Sequence, residues 1–155
     1  MPRKRPGALR AAPARTPVWL CEPGRIDSLS LATSAAVRRV EYAHEWYDMY
    51  PGVTSLALLH YRRFLARPGR LLYPSLALCT CRGCSLDDVT HARDALAEVL
   101  ALLPDRPRAE LSRLVTRLDR GLLSRTLPCP HAGTHPWRSQ AWWRMRLYDG
   151  EVDPA

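Results

Sequence analysis

Val89, Ala92, Leu96, Val99, Leu100 and Leu103 recur at three- and four-residue steps. After Pro104-Asp105-Arg106-Pro107 the pattern resumes at Leu111, Leu114, Val115, Leu118 and Leu122. That spacing puts each apolar set on one face of an α-helix. The turn between them is short and bracketed by prolines, so the second helix must fold back on the first. The pattern predicts a helical hairpin over about 86–103 and 107–123. Ser85 followed by Asp88 resembles a capping box, and Asp87 and Asp88 suit the positive end of a helix. Asp105 is the expected N-cap of the second helix.

Two further helices are expected upstream. One starts at Thr33 or Ser34, carries Ala36, Val37, Val40, Ala43, His44 and Tyr47 on one side, and ends at Pro51-Gly52. The aromatics around its end, Tyr42, Trp46, Tyr47 and Tyr50, are expected to pack into the core. The other runs from Thr54 or Ser55 to about Ala66 and is stopped by Arg67-Pro68-Gly69. Leu71 to Leu78 reads as an extended, buried segment, because Pro74 refuses a helix. Trp137 to Tyr148 reads as a short, basic, Trp-rich final helix. The fold class is therefore mainly α, a small helical domain. Its expected limits are 18–148, flanked by a disordered basic tail over 1–17 and a frayed acidic end over 149–155.

Cys79-Thr80-Cys81-Arg82-Gly83-Cys84 brings three thiols into six residues. Thiolate sulfur and imidazole nitrogen are the preferred donors of structural zinc, which takes four ligands in a tetrahedron. Cys79, Cys81 and Cys84 would form a knuckle, with Gly83 supplying the freedom that a tight turn often needs. The hairpin can go out and return, so Cys129 in Pro128-Cys129-Pro130-His131 is the expected fourth ligand, with His131 as the alternative. His135 and His91 rank below them, and Cys21 in the apolar patch Val18-Trp19-Leu20-Cys21 reads as a buried small side chain. A zinc ion held this way would staple the helices. Four cysteines could instead hold an iron–sulfur cluster. A helix starting after Cys84 would turn its positive end toward the thiolates and lower their pKa.

The net charge is +8, yet Lys4 is the only lysine among 23 basic residues. An arginine bias of this kind follows from base composition as readily as from a nucleic-acid partner. The 1–15 stretch alone holds Arg3, Lys4, Arg5, Arg10 and Arg15 without an acid, whereas acids and arginines balance over the hairpin. If a basic and aromatic surface does meet nucleic acid or a protein, the expected contact set is Arg62, Arg63, Arg138, Trp142, Trp143, Arg144 and Arg146. Glycine-rich phosphate loops, Gly-x-Ser-x-Gly and His-Glu-x₂-His are absent, and no catalytic residue is assigned. No apolar run reaches the roughly 18 residues a bilayer demands, and the basic start lacks the apolar stretch of a secretory signal. The expected protein is a cytoplasmic, non-enzymatic zinc binder of regulatory type. The alternatives are a thiolate redox or metal sensor and, behind it, an enzyme with an open zinc position.

Overall fold

The structure, a computed structural model, describes residues 24–130 and 141–151. The 1–17 tail, Cys21, His131, His135, Trp137 and Arg138 lie outside these residues. Four α-helices account for most of the described chain: α1 (Leu31–Ala43), α2 (Val53–Leu65), α3 (Val89–Leu102) and α4 (Asp105–Arg125). A 3-10 turn, Cys84–Asp87, leads into α3, and two more, Trp142–Met145 and Asp149–Glu151, follow α4. No described helix is long and apolar enough to cross a membrane.

The expected stripes face one core. Val89, Ala92, Leu96, Val99 and Leu103 meet Leu111, Leu114, Val115 and Leu122, so α3 and α4 form the hairpin, with α2 laid along α3. Val53, Ala57, Leu58, Tyr61 and Phe64 of α2 and Ala36, Val37 and Val40 of α1 close it.

Helix starts are held by carboxylates, as the positive end of the helix dipole favours. Ser30 caps α1 and accepts from the Thr33 N–H. Glu110 of α4 completes that cap, with its Oε1 accepting from the Ser30 N–H at 2.6 Å and its Oε2 from the Ser30 hydroxyl at 2.8 Å. The Thr33 hydroxyl donates to the same oxygen. Gly52 starts α2 with φ 89° and no side chain to cap with. Glu41, buried on α1, takes over: it accepts from the Gly52 N–H at 2.8 Å and the Thr54 N–H at 2.9 Å. At α3 the cap is Asp88, which accepts from the N–H and the hydroxyl of Thr90 at 2.8 and 2.9 Å. Asp105 is the first residue of α4, after the N-cap Pro104.

Arginines serve the opposite ends. Arg125 donates to the carbonyls of Leu65, Arg67 and Gly69 beyond α2. Arg108 donates to the Leu103 carbonyl, at 3.0 and 2.6 Å.

Inside the bundle, Asp119 of α4 accepts from Arg93 Nε at 2.9 Å, Arg93 Nη2 at 3.1 Å and the Tyr61 hydroxyl at 2.8 Å. The Arg93 guanidinium lies 4.0 Å from the ring centre of Trp143. Burial, then the Asp119 charge, pushes the Tyr61 hydroxyl far above its usual range, so it stays a donor.

Several expectations change here. The first helix ends at Ala43, not at Pro51-Gly52. The chain then turns, with the Trp46 N–H donating to the Met49 carbonyl at 2.8 Å so that Met49 enters the core. This leaves Trp46 49% and Tyr47 55% exposed, and Tyr42 exposed as well, where core packing was expected. The Leu71–Leu78 segment is extended, but only Leu72 and Pro74 are buried, and Leu76 is 75% exposed. The expected Trp-rich helix is reduced, within 141–148, to the 3-10 turn Trp142–Met145. The backbone after it, 145–147, pairs with 127–129, with the Cys129 N–H donating to the Met145 carbonyl and the Leu147 N–H to the Leu127 carbonyl.

Two outcomes test this framework. Asp119→Ala strands a buried guanidinium and a phenol, and is expected to lower unfolding free energy by about 3–5 kcal/mol in urea denaturation. Tyr61→Phe, which removes one donor only, is expected to cost about 1 kcal/mol. Glu110 is held below the usual carboxylate range by hydrogen bonds from Thr33 and Ser30. Its contribution is thus full above the unfolded pKa and lost as pH falls through the lower folded one. The urea midpoint difference between the native chain and Glu110→Gln should shrink below about pH 4.

Candidate metal centre

The extended segment that delivers the cysteines is anchored at its start. The Leu72 N–H donates to the Arg125 carbonyl at 2.6 Å, and the Pro74 carbonyl accepts from the Asp149 N–H at 2.9 Å. Past Pro74 the chain leaves the core and turns back through the knuckle. The ligand atoms of Cys79, Cys81 and Cys84 all lie within 4.8 Å of one another, and all three residues are exposed. The Cys81 N–H points to the Cys79 sulfur at 3.4 Å, and the Ser85 N–H closes the turn on the Cys81 carbonyl at 2.9 Å. Gly83 has ordinary helical angles, φ −81° and ψ −47°, and open space where a Cβ would sit. Its glycine freedom is not what shapes the turn.

The three sulfurs compete for negative charge. The Cys84 backbone N–H, then hydrogen bonds from the Cys79 and Cys84 thiols, lower the Cys81 thiol to about 7. Those same interactions, seen from the other side, raise Cys84 to about 11, because a proton shared with Cys81 and Cys79 is hard to remove. Without a cation the group keeps protons between its sulfurs, and a metal ion among them would favour the fully deprotonated set.

Aromatic side chains hold the knuckle to the α1–α2 loop. The Tyr47 hydroxyl donates to the Thr80 carbonyl at 2.5 Å and the Tyr50 hydroxyl to the Arg82 carbonyl at 2.9 Å. Arg82 reaches back to the Trp46 carbonyl at 3.2 Å, and its guanidinium sits 5.6 Å from the ring centres of both Tyr47 and Tyr50. His60 of α2 meets Asp87 at 3.0 Å just after the last cysteine. The sequence held one sign of this docking, the density of aromatics over 42–50. Nothing in it marked Arg82 as the partner.

A cavity of about 670 Å³ opens beside the knuckle, with Tyr47, Tyr50, Leu76, Cys79, His91 and Glu98 among its walls. Glu98 is raised from its usual range, by burial first and then by Asp48. The positive end of α3 does not reach the thiolates as expected, since Asp88 occupies it and also receives the Tyr148 hydroxyl at 3.2 Å. Burial and the Asp88 charge push that phenol up to about 12.

Cys129, the expected fourth ligand, is not brought to the other three. It is buried in a niche with Leu123, Pro128, Trp142, Met145 and Arg146. The expected contact set is also dispersed. Trp143 is buried and donates to Asp94 at 2.7 Å, while Arg144 is bound to the same carboxylate. Arg146 is buried against Thr126, donating to its hydroxyl at 2.8 Å. Arg62 pairs with Asp27, Arg63 is exposed and Trp142 is half-buried. No protein-family model matches the chain, and neither a curated protein nor a solved structure matches it.

Burial separates the thiols. In metal-free, unoxidised protein, iodoacetamide is expected to label Cys79, Cys81 and Cys84 well before Cys129, as read by peptide mass mapping. Equal labelling of Cys129 would contradict its place in the niche.

Proposed function

We propose that this chain is a non-enzymatic zinc-binding protein whose knuckle holds one ion and fixes a surface for a partner. The observation that carries the reading is the set of three exposed thiols whose sulfurs lie within 4.8 Å of one another, a spacing that one metal ion can bridge. Zinc is favoured over an iron–sulfur cluster because such a cluster takes four cysteines and only three are assembled among the described residues. Reduced thiols fit a cytoplasmic setting. The partner is a protein rather than nucleic acid. Arg144, Arg146 and Trp143 are used internally, whereas Trp46, Tyr47, Leu76 and Leu78 stand exposed around the knuckle. An exposed apolar and aromatic patch beside a rigid loop suits a protein surface.

Exposure of the thiols also supports a second reading, a redox sensor in which peroxide removes the ion. Metal loss with altered partner binding after mild oxidation would favour it.

The deciding measurement is metal content and absorption on protein purified without oxygen or added metal. The expected result is about one zinc per chain and no visible colour. Cys79→Ser should release the ion while the helical circular dichroism persists, since Cys79 takes no part in the core. A brown protein with iron and sulfide, or one with no metal, would overturn the zinc reading.

A further inference from the structure

We infer that His91 is the fourth ligand of this metal site, closing a donor set of three sulfurs and one imidazole nitrogen; the inference rests on the zinc reading above. A structural zinc site wants four protein ligands, and the knuckle supplies three. Cys129 is held in its own niche by the backbone hydrogen bond to Met145 and by apolar neighbours.

His91 has the right address. It stands on the first turn of α3, one residue beyond Thr90, which Asp88 holds. Its side chain lines the same cavity as Cys79, and so do Ser85 and Leu86. The chain that follows Cys84 therefore borders this cavity at Ser85 and Leu86 and again at His91. His91 is exposed and has no hydrogen bond or ion pair among the described residues. It lies outside the 4.8 Å group of sulfurs, so binding requires the ring to move toward them across the cavity.

The other donors nearby are less suited. Asp94 is occupied by Trp143 and Arg144, and His60 by Asp87. Asp48 and Glu98 also border the cavity, but carboxylate oxygen is a poorer match than imidazole for a site already rich in thiolate. A neutral imidazole also adds no fourth negative charge, which leaves a single excess charge when three thiolates hold a divalent ion, and Arg82 lines the same cavity. The ion then joins the knuckle to α3 directly, in addition to the hydrogen bonds that tie it to the α1–α2 loop.

Cobalt(II) binding to the full, reduced chain tests this, because cobalt absorption reports both the number of sulfurs and the tetrahedral field. His91→Ala keeps the helix, alanine being the best helix former. It is expected to retain the thiolate charge-transfer bands, to shift the d–d bands, and to weaken cobalt binding on the order of 100-fold. Cys129→Ser, His131→Ala and Cys21→Ser should match the native chain in both respects. A native spectrum and affinity in His91→Ala would overturn the assignment, as would the same loss appearing in one of the other three variants instead. If the native chain shows no thiolate–cobalt bands at all, the zinc reading itself fails and His91 with it.

Discussion

Asp119 gathers one side chain from each of two other helices and, through Arg93, a ring from the far end of the chain. Its two oxygens take three hydrogen bonds from Arg93 and Tyr61, so α2, α3 and α4 share one half-buried anion. Arg93 in turn lies on the face of Trp143, and the neighbouring Asp94 binds the Trp143 indole and the Arg144 guanidinium. A buried pair of this kind costs much of its own attraction in lost hydration. What it provides here is registry: only one rotation of α3 places Arg93 at Asp119 and Asp94 at Trp143 together. With α3 so oriented, His91 and Glu98 face the cavity beside the knuckle.

The same logic sets the loops. Glu41 holds the start of α2, so the chain from His44 to Gly52 must span a fixed gap, and Met49 plugs it. Tyr47 then stands exposed and Tyr50 half-buried, and both hydroxyls donate to the knuckle carbonyls. On the other side, Asp88 joins Thr90 to Tyr148 and pins the start of α3 to the end of the described chain. The knuckle lies between two anchored points, and this keeps three sulfurs close without any of them being buried.

What could be read from sequence is what depends on neighbours along the chain. The α3–α4 hairpin follows from a 3.6-residue apolar period and a proline-bracketed turn, and the thiol group from a six-residue spacing. The end of α1 could not be placed, because His44 is no stop signal and the apolar period runs on to Tyr47 while the backbone turns away. Trp137, Ala141, Met145 and Tyr148 have helical spacing too, yet residues 127–129 hydrogen-bond the backbone at Met145 and Leu147, which stops the Trp142–Met145 turn from continuing as a helix. The arginines were the least legible. Arg108 and Arg125 bind helix-end carbonyls, Arg93 and Arg144 bind carboxylates, and Arg146 is buried against Thr126. Charge composition registers each of them as a free cation, and only tertiary structure shows where the charge goes.

Cys129 and Cys84 illustrate how one residue type divides between two roles. Cys129 is a small apolar side chain whose backbone closes a bridge to Met145, and its thiol contributes packing. Cys84 begins a 3-10 turn whose only core residue is Leu86. The helices thus complete their core through Leu86 while Cys79, Cys81 and Cys84 remain outside it. A metal at the knuckle would not be asked to drive folding, as it must in a small finger that has no core of its own. Its work would be local, ordering the exposed stretch from Leu76 to Gly83 against the aromatic loop and the first turn of α3. The separation also explains why a chain of this size can keep three thiols at its surface: the fold does not depend on hiding them, so they stay grouped where an ion could be held.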